Sequence, residues 1–142
     1  MTGAHPITIL LADDDADDRM LALEALSESR LVNDVRIGED GEQLMDYLNR
    51  RGPYADPGVS PRPGLILLDL NMPRKDGREA LLEIKSEPAF RHIPIVILST
   101  SKEDRDIAFS IKAGAASFIT KPATFDEWIE IMKSLTERWL AS

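Results

Sequence analysis

Three short apolar runs constrain this chain most: Ile7–Ala12, Leu65–Leu68 and Ile95–Leu98. Each is nearly continuous, without the polar alternation of a strand that has one face in water. Runs of this length and kind suit strands covered on both faces, as in a parallel sheet. Two weaker runs, Asp34–Ile37 and Ser117–Thr120, complete a set of five. Segments with helical periodicity separate them. Residues 16–29 carry Met20, Leu23 and Leu26, and residues 41–50 carry Leu44, Tyr47 and Leu48 behind an Asp40 cap with Gln43 three places on. Residues 78–86 carry Leu81, Leu82 and Ile84. Residues 102–113 carry Ile107, Ala108 and Ile111 and stop at Gly114. In the last helix Thr124 and Glu127 form a capping-box pattern, and Trp128, Ile131, Met132, Leu135 and Trp139 line one face.

Strand and helix thus alternate five times, which predicts an α/β fold, a doubly wound five-stranded parallel sheet with right-handed crossovers. At 142 residues the chain suits one domain, 1–142, with a core over about 7–140. No internal repeat is visible. The one insert, residues 51–64, holds four of the nine prolines and three of the eight glycines, and reads as a mobile surface connection. The net charge of −8 disfavours nonspecific nucleic-acid binding. Without cysteine there is no disulfide or thiolate chemistry. No apolar run approaches the ~20 residues of a membrane span, and no basic flank marks a secretion signal, so the expected location is cytoplasmic, away from the membrane.

In open α/β sheets ligands bind beyond the C-terminal ends of the strands. There the sequence places Asp13, Asp14 and Asp15 after the first run, Asp69 after the third, Ser99, Thr100 and Ser101 at the fourth, and Lys121 then Pro122 after the fifth. Two carboxylates ~4 Å apart repel by roughly 4 kcal/mol at an effective dielectric of ~20. A divalent cation removes the conflict. Hard oxygen ligands without His or Cys point to Mg²⁺, with Mn²⁺ as the alternative. Lys121 can hold Asp69 ionised and neutralise an incoming phosphoryl group, and a carboxylate can serve as the nucleophile toward phosphorus. Taken alone, Asp13 and Asp14 read as acids at a helix N-terminus; with Asp69 and Lys121 at the same rim they read as ligands. Asp17 and Asp18 are expected only to charge the helix start, and Ser101 to be a loop or cap residue with Asp104 behind it. His5 and His92 fall away from the rim.

The segments LLADDDADD, LLDLNMPRKDG, IVILSTS and AGAASFITKP, in this order and spacing, resemble the response-regulator receiver domains of two-component signalling, over about residues 7–140. The resemblance implies the flavodoxin-like receiver fold with strand order 2-1-3-4-5. It implies that Asp69 is the phosphoacceptor for a histidine kinase in a Mg²⁺-dependent reaction. Asp13 and Asp14 would be the acidic pair at the metal, Asp14 ranking ahead as direct ligand, and Asn71 would add its backbone carbonyl. Ser99 would turn toward the phosphoryl group, Lys121 would contact it, and the Lys121–Pro122 bond would be cis. Phe118 would be the switch aromatic that follows Ser99 inward; many relatives carry tyrosine there, and its hydroxyl is missing here. Asn71 and Ser101 occupy positions that tune the lifetime of the phosphoryl group.

The proline-rich insert, DLNMPRKDGREAL, STS and the Trp139-containing end resemble more narrowly the single-domain regulators that partner bacterial phytochromes, which would make the partner a light-sensing histidine kinase. The expected function is a switch without an output domain. It acts through protein contacts, with a homodimer through the fourth helix, fifth strand and fifth helix, or a phosphorelay step, as the open alternatives. Two other functions compete. Asp13-x-Asp15 resembles the nucleophile motif of haloacid-dehalogenase-type phosphatases, although Asp17 stands where that motif has threonine or valine. A phosphorylation-independent interaction module on the same fold is the third reading, and the full set of acids and lysine argues against it. Turnover of an external substrate is not expected.

Overall fold

The computed structural model describes residues 8–28 and 34–140. Ile7, Ser29 and His5, which the sequence places at the start of the first strand, the end of the first helix and off the rim, lie outside the described residues. Five strands alternate with five helices: β1 (Thr8–Ala12), α1 (Ala16–Ser27), β2 (Asp34–Gly38), α2 (Gly41–Asn49), β3 (Leu65–Leu68), α3 (Gly77–Ser86), β4 (Ile95–Ser99), α4 (Asp104–Lys112), β5 (Ser117–Thr120) and α5 (Phe125–Leu140). The strands are all parallel in the order β2-β1-β3-β4-β5. This is the doubly wound sheet that the alternation predicts.

The continuous apolar runs are explained by burial on both faces. Alternate residues Leu10, Ile66, Leu68, Ile95 and Ile97 pack with Leu44, Leu48, Leu81 and Ile84 from α2 and α3. The intervening Ile9, Leu11, Leu65, Leu67, Val96 and Leu98 pack with Ala22, Ala25 and Leu26 of α1 and Trp128, Met132 and Leu135 of α5. Strands β2 and β5 are the sheet edges and are mostly half-buried, which is why their runs were weak.

Two expectations about packing are corrected. Met20 and Leu23 do not mark the buried face of α1; they are exposed, and the face is made by Ala22, Ala25 and Leu26. Leu82 and Ile111 are likewise exposed. The insert 51–64 is a largely exposed surface connection, tied to the body at a few points. It holds a 3₁₀ turn at Gly52–Tyr54. The Tyr47 hydroxyl donates to the Pro61 carbonyl at 2.6 Å, and the fully buried Ser60 donates to the Tyr54 carbonyl at 2.8 Å. Two of its carbonyls thus find partners within the protein. Helix starts are as read: Asp40 accepts from Gln43 N–H, and Thr124 accepts from Glu127 N–H. Gly114, at φ +111°, ends α4 in a conformation that favours glycine.

Candidate functional site

Parallel register brings the ends of β1 and β3 level. Ala12 lies beside Leu68, and Asp69 N–H donates to the Ala12 carbonyl at 2.9 Å, so the residues that follow, Asp13 and Asp69, emerge side by side. Both are almost fully buried, at 2% and 5% exposure, while Asp14 is exposed. Carboxylate oxygens of Asp13, Asp14 and Asp69 all lie within 4.8 Å of one another. At that separation each ionised pair repels by at least about 3.5 kcal/mol at an effective dielectric of ~20.

Lys121, arriving from the end of β5, is the counter-charge. Its Nζ lies 2.9 Å from Asp13 Oδ2, 2.7 Å from Asp18 Oδ2 and 3.2 Å from Asp69 Oδ2. The other Asp69 oxygen accepts the Asn71 N–H at 3.1 Å, and the other Asp13 oxygen accepts the Asp15 N–H at 2.9 Å. Burial still prevails: it pushes the Asp69 carboxyl up to about 6, against the pull of Lys121 and the Asn71 N–H, with Asp13 adding to the rise. Burial likewise raises Asp13. For Lys121 burial acts downward, but hydrogen bonds to Asp18 and Asp13 and the charge of Asp69 outweigh it and raise its pKa.

The start of α3 presses on the Asp69 strand end. Gly77 N–H donates to the Leu70 carbonyl at 2.9 Å, and a Cβ at Gly77 would sit 2.1 Å from the Asp69 carbonyl oxygen. Only glycine permits this approach. The intervening loop includes Arg74 at φ 68°, a left-handed conformation that costs a non-glycine residue, beside an ion pair from its Nε to Asp40 Oδ2 at 3.2 Å. Above these residues opens a cleft of about 500 Å³, lined among others by Asp14, Asp18, Asp69, Asn71, Thr100 and Lys121.

Of the residues expected at the rim, Asp13, Asp14, Asp69 and Lys121 come together as foreseen, and Asn71 lines the cleft. Ser99 is at the strand end but fully buried, its Oγ accepting the Ser101 N–H at 3.1 Å; Thr100 is the hydroxyl that lines the cleft. Phe118 is half-buried, packed on the core beneath α2 and α3. His92 is exposed, away from the rim.

Two expectations are corrected. No peptide bond among the described residues is cis, so Lys121–Pro122 is trans. Trans is the default by about 0.5–1 kcal/mol at X–Pro, and with it Lys121 N–H still donates to the Ser99 carbonyl at 2.8 Å while the ammonium reaches the acids. Asp18 does more than charge a helix start, since it binds Lys121. Capping belongs to Asp15, which accepts from Asp17 and Asp18 N–H. The place of Asp18 in the first turn of α1 is shared by Asp17 and did not single it out. Ser101, expected as a loop or cap residue, lies in the loop before α4. Its hydroxyl donates to Asp106 Oδ2 at 2.6 Å and accepts Glu103 N–H at 3.2 Å, and the residue at the cap position, Glu103, makes no side-chain cap bond.

Comparison with known proteins agrees with this geometry. The family model for the response regulator receiver domain matches residues 9–133. The chain is 38% identical over 135 residues to the response regulator Rcp1 of Synechocystis, covering 95% of this chain and 90% of Rcp1. The crystal structure of the Mn²⁺-bound form of Rcp1 superposes with a TM-score of 0.87 at 37% identity, covering 96% of both chains. That of the phosphorylated cyanobacterial phytochrome response regulator RcpA superposes with a TM-score of 0.89 at 42% identity, again over 96% of both.

Proposed function

The chain belongs to the response-regulator receiver family of two-component signalling, and on that premise we propose that Asp69 accepts a phosphoryl group from the phosphohistidine of a histidine kinase. The observation that carries the reading is the placement of a buried Asp69 against the Lys121 ammonium at 3.2 Å, with the oxygens of Asp13 and Asp14 within 4.8 Å. A carboxylate oxygen of Asp69 forms the new O–P bond as the P–N bond of the donor breaks, its electron pair staying on the imidazole. Lys121 offers its ammonium to the transferred phosphoryl oxygens, leaving part of its present contact with the acids.

Asp13, Asp14, Asp69 and the Asn71 carbonyl would hold a divalent cation. The all-oxygen donor set fits Mg²⁺ first and Mn²⁺ second. Such an ion, when bound, would offset charge on the carboxylates and the phosphoryl group. Mn²⁺ in Rcp1 supports this reading.

Ser99 would then turn its hydroxyl from the Ser101 N–H toward the phosphoryl group, and Phe118 would follow inward. The change would reach α4, β5 and α5, where a protein partner or a second copy of the chain would read it. The likeness to a phytochrome response regulator supports a light-sensing kinase as the donor. The only chemistry is gain and loss of the phosphoryl group on Asp69. The haloacid-dehalogenase alternative loses support because the second acid of its motif, Asp15, is engaged as the α1 cap.

A small phosphodonor with Mg²⁺, followed by intact mass measurement, tests the proposal. Wild type should gain one phosphoryl mass that disappears on chelation of the metal before reaction, and Asp69→Asn should gain none. Equal gain in both proteins would overturn it.

A further inference from the structure

The switch chemistry proposed above does not use the most elaborate polar network outside the acidic rim. Arg78, in the first turn of α3, spreads its guanidinium over three elements. Nη2 donates to Asp106 Oδ1 on α4 at 2.9 Å. Nη1 contacts the capping Asp76 at 3.3 Å and Asn71 Oδ1, two residues past Asp69, at 3.4 Å. The other Asp106 oxygen accepts the Ser101 hydroxyl at 2.6 Å, and the Ser101 N–H donates to Ser99 Oγ at 3.1 Å. The hydroxyl that would have to rotate is therefore the last link of a chain running Arg78, Asp106, Ser101, Ser99.

The packing of α4 makes this chain matter. The two α4 residues that count as buried are Asp106 and Ser110, both polar, and Ser110 donates back to the Asp106 carbonyl at 2.8 Å. Ile111 points to solvent, and Ile107 and Phe109 are half-buried. A helix that contributes so little buried apolar surface is held by specific polar bonds, which have two discrete states, made or broken. The Arg78–Asp106 pair is well shielded on the α4 side, where the Asp106 side chain is 13% exposed.

We infer that Arg78 and Asp106 are positioning residues that form a latch: their ion pair fixes the start of α4 and, through Ser101, holds the Ser99 hydroxyl in its resting direction. The inference rests on the receiver chemistry proposed for Asp69. Phosphorylation draws Ser99 away from the Ser101 N–H, Ser101 loses one of its partners, and the latch weakens. Opening the latch by mutation should shift the same equilibrium with no phosphoryl group present.

The test uses Arg78→Met, which keeps the aliphatic stem, and Asp106→Ala, each as the full chain. Amide resonances of residues 101–112 are recorded in the unphosphorylated proteins and in phosphorylated wild type. Both variants should displace these resonances along the line that phosphorylation moves them in wild type. Both should accept a phosphoryl group from acetyl phosphate with Mg²⁺ about 3- to 10-fold faster, the factor expected from losing a partly shielded ion pair. In an Asp106→Ala background, adding Arg78→Met should change the rate less than about twofold, because the pair acts as one unit. Wild-type resonances and rates in Arg78→Met, with wild type itself phosphorylated normally, would overturn the latch alone. Failure of wild type to gain a phosphoryl group would overturn the reading of Asp69 and the latch with it. Arg78→Met decides the matter if Asp106→Ala melts below assay temperature, since its side chain sits at the surface end of the pair.

Discussion

Replacing Asp69 by asparagine should make the metal-free protein more stable at neutral pH. The carboxyl is raised from an ordinary 3.8 to about 6, chiefly by burial, so its charged form is disfavoured in the folded state. The folded chain therefore binds more protons than the unfolded chain between these values. Stability contributed by the protonated group is fully present below about pH 4 and is lost as pH rises through about 6. At 1.36 kcal/mol per pH unit the rise corresponds to about 3 kcal/mol at pH 7.5. Asparagine reproduces the shape of the neutral carboxyl and can still accept the Asn71 N–H, while Lys121 keeps Asp13 and Asp18. Allowing for relaxation and solvent entry at the cleft, the gain should be about 1–3 kcal/mol. For 142 residues the unfolding entropy is about 0.3 kcal/mol/K, so Tm should rise by about 3–10 °C.

The assay is thermal or urea unfolding of wild type and Asp69→Asn in chelator, at pH 4 and pH 7.5. The gap should be wide at pH 7.5 and nearly closed at pH 4, where Asp69 is already protonated. Adding Mg²⁺ at pH 7.5 should narrow it from the other side, since an ion at ~100 times its Kd stabilises wild type by about 2.7 kcal/mol and the variant offers one carboxylate fewer. An Asp69→Asn protein no more stable than wild type at pH 7.5, or a gap of equal size at both pH values, would refute the account of burial and repulsion at the rim.

Lys121→Met should lower metal-free stability by about 3–5 kcal/mol, because the variant leaves buried carboxylates without a counter-charge; urea unfolding should show divalent cation recovering most of that loss. Gly77→Ala should cost at least about 2 kcal/mol, since its Cβ would meet the Asp69 carbonyl at 2.1 Å, and should depress Mg²⁺ affinity measured by titration calorimetry. Tyr47→Phe should cost about 1 kcal/mol through the lost bond to Pro61, and in wild type the Tyr47 phenol, pushed up to about 12 by burial, should titrate late in an ultraviolet pH titration.

Much of the fold could be read from the chain because burial on both faces leaves an unmistakable pattern. The runs ending at Ala12, Leu68 and Leu98 belong to interior strands, and the half-buried β2 and β5 gave the fainter signal that edges give. Large apolar residues misled on α1, where Ala22 and Ala25 make much of the buried face and Met20 and Leu23 look outward. Proline and glycine content marked the insert as a surface connection, but composition does not reveal that the Tyr47 hydroxyl and Ser60 would bond two of its carbonyls. At the rim, residue type and strand-end position sufficed for Asp13, Asp14, Asp69 and Lys121. They could not show that Asp18 shares the ammonium or that Arg78 reaches Asp106, since both are contacts between elements far apart in sequence.

The distribution of charge at the rim fixes an order of events. Four carboxylates, Asp13, Asp14, Asp18 and Asp69, face a single ammonium, and three of them already share it. One unit of positive charge cannot neutralise them, and burial keeps from Asp13 and Asp69 the water that screens the exposed Asp14. A phosphoryl group brings further negative charge to the same few ångströms, so with these residues alone its approach is opposed. Lys121 could turn to meet it only by giving up part of its contact with the acids it currently holds, which restores some of their mutual repulsion. The rim is therefore receptive to a small dication and resistant to phosphate. On the proposed reading, phosphoryl acceptance by Asp69 should depend on cation concentration even with a saturating donor. That dependence should steepen as pH rises through about 6, where Asp69 gives up its proton and the uncompensated charge is greatest.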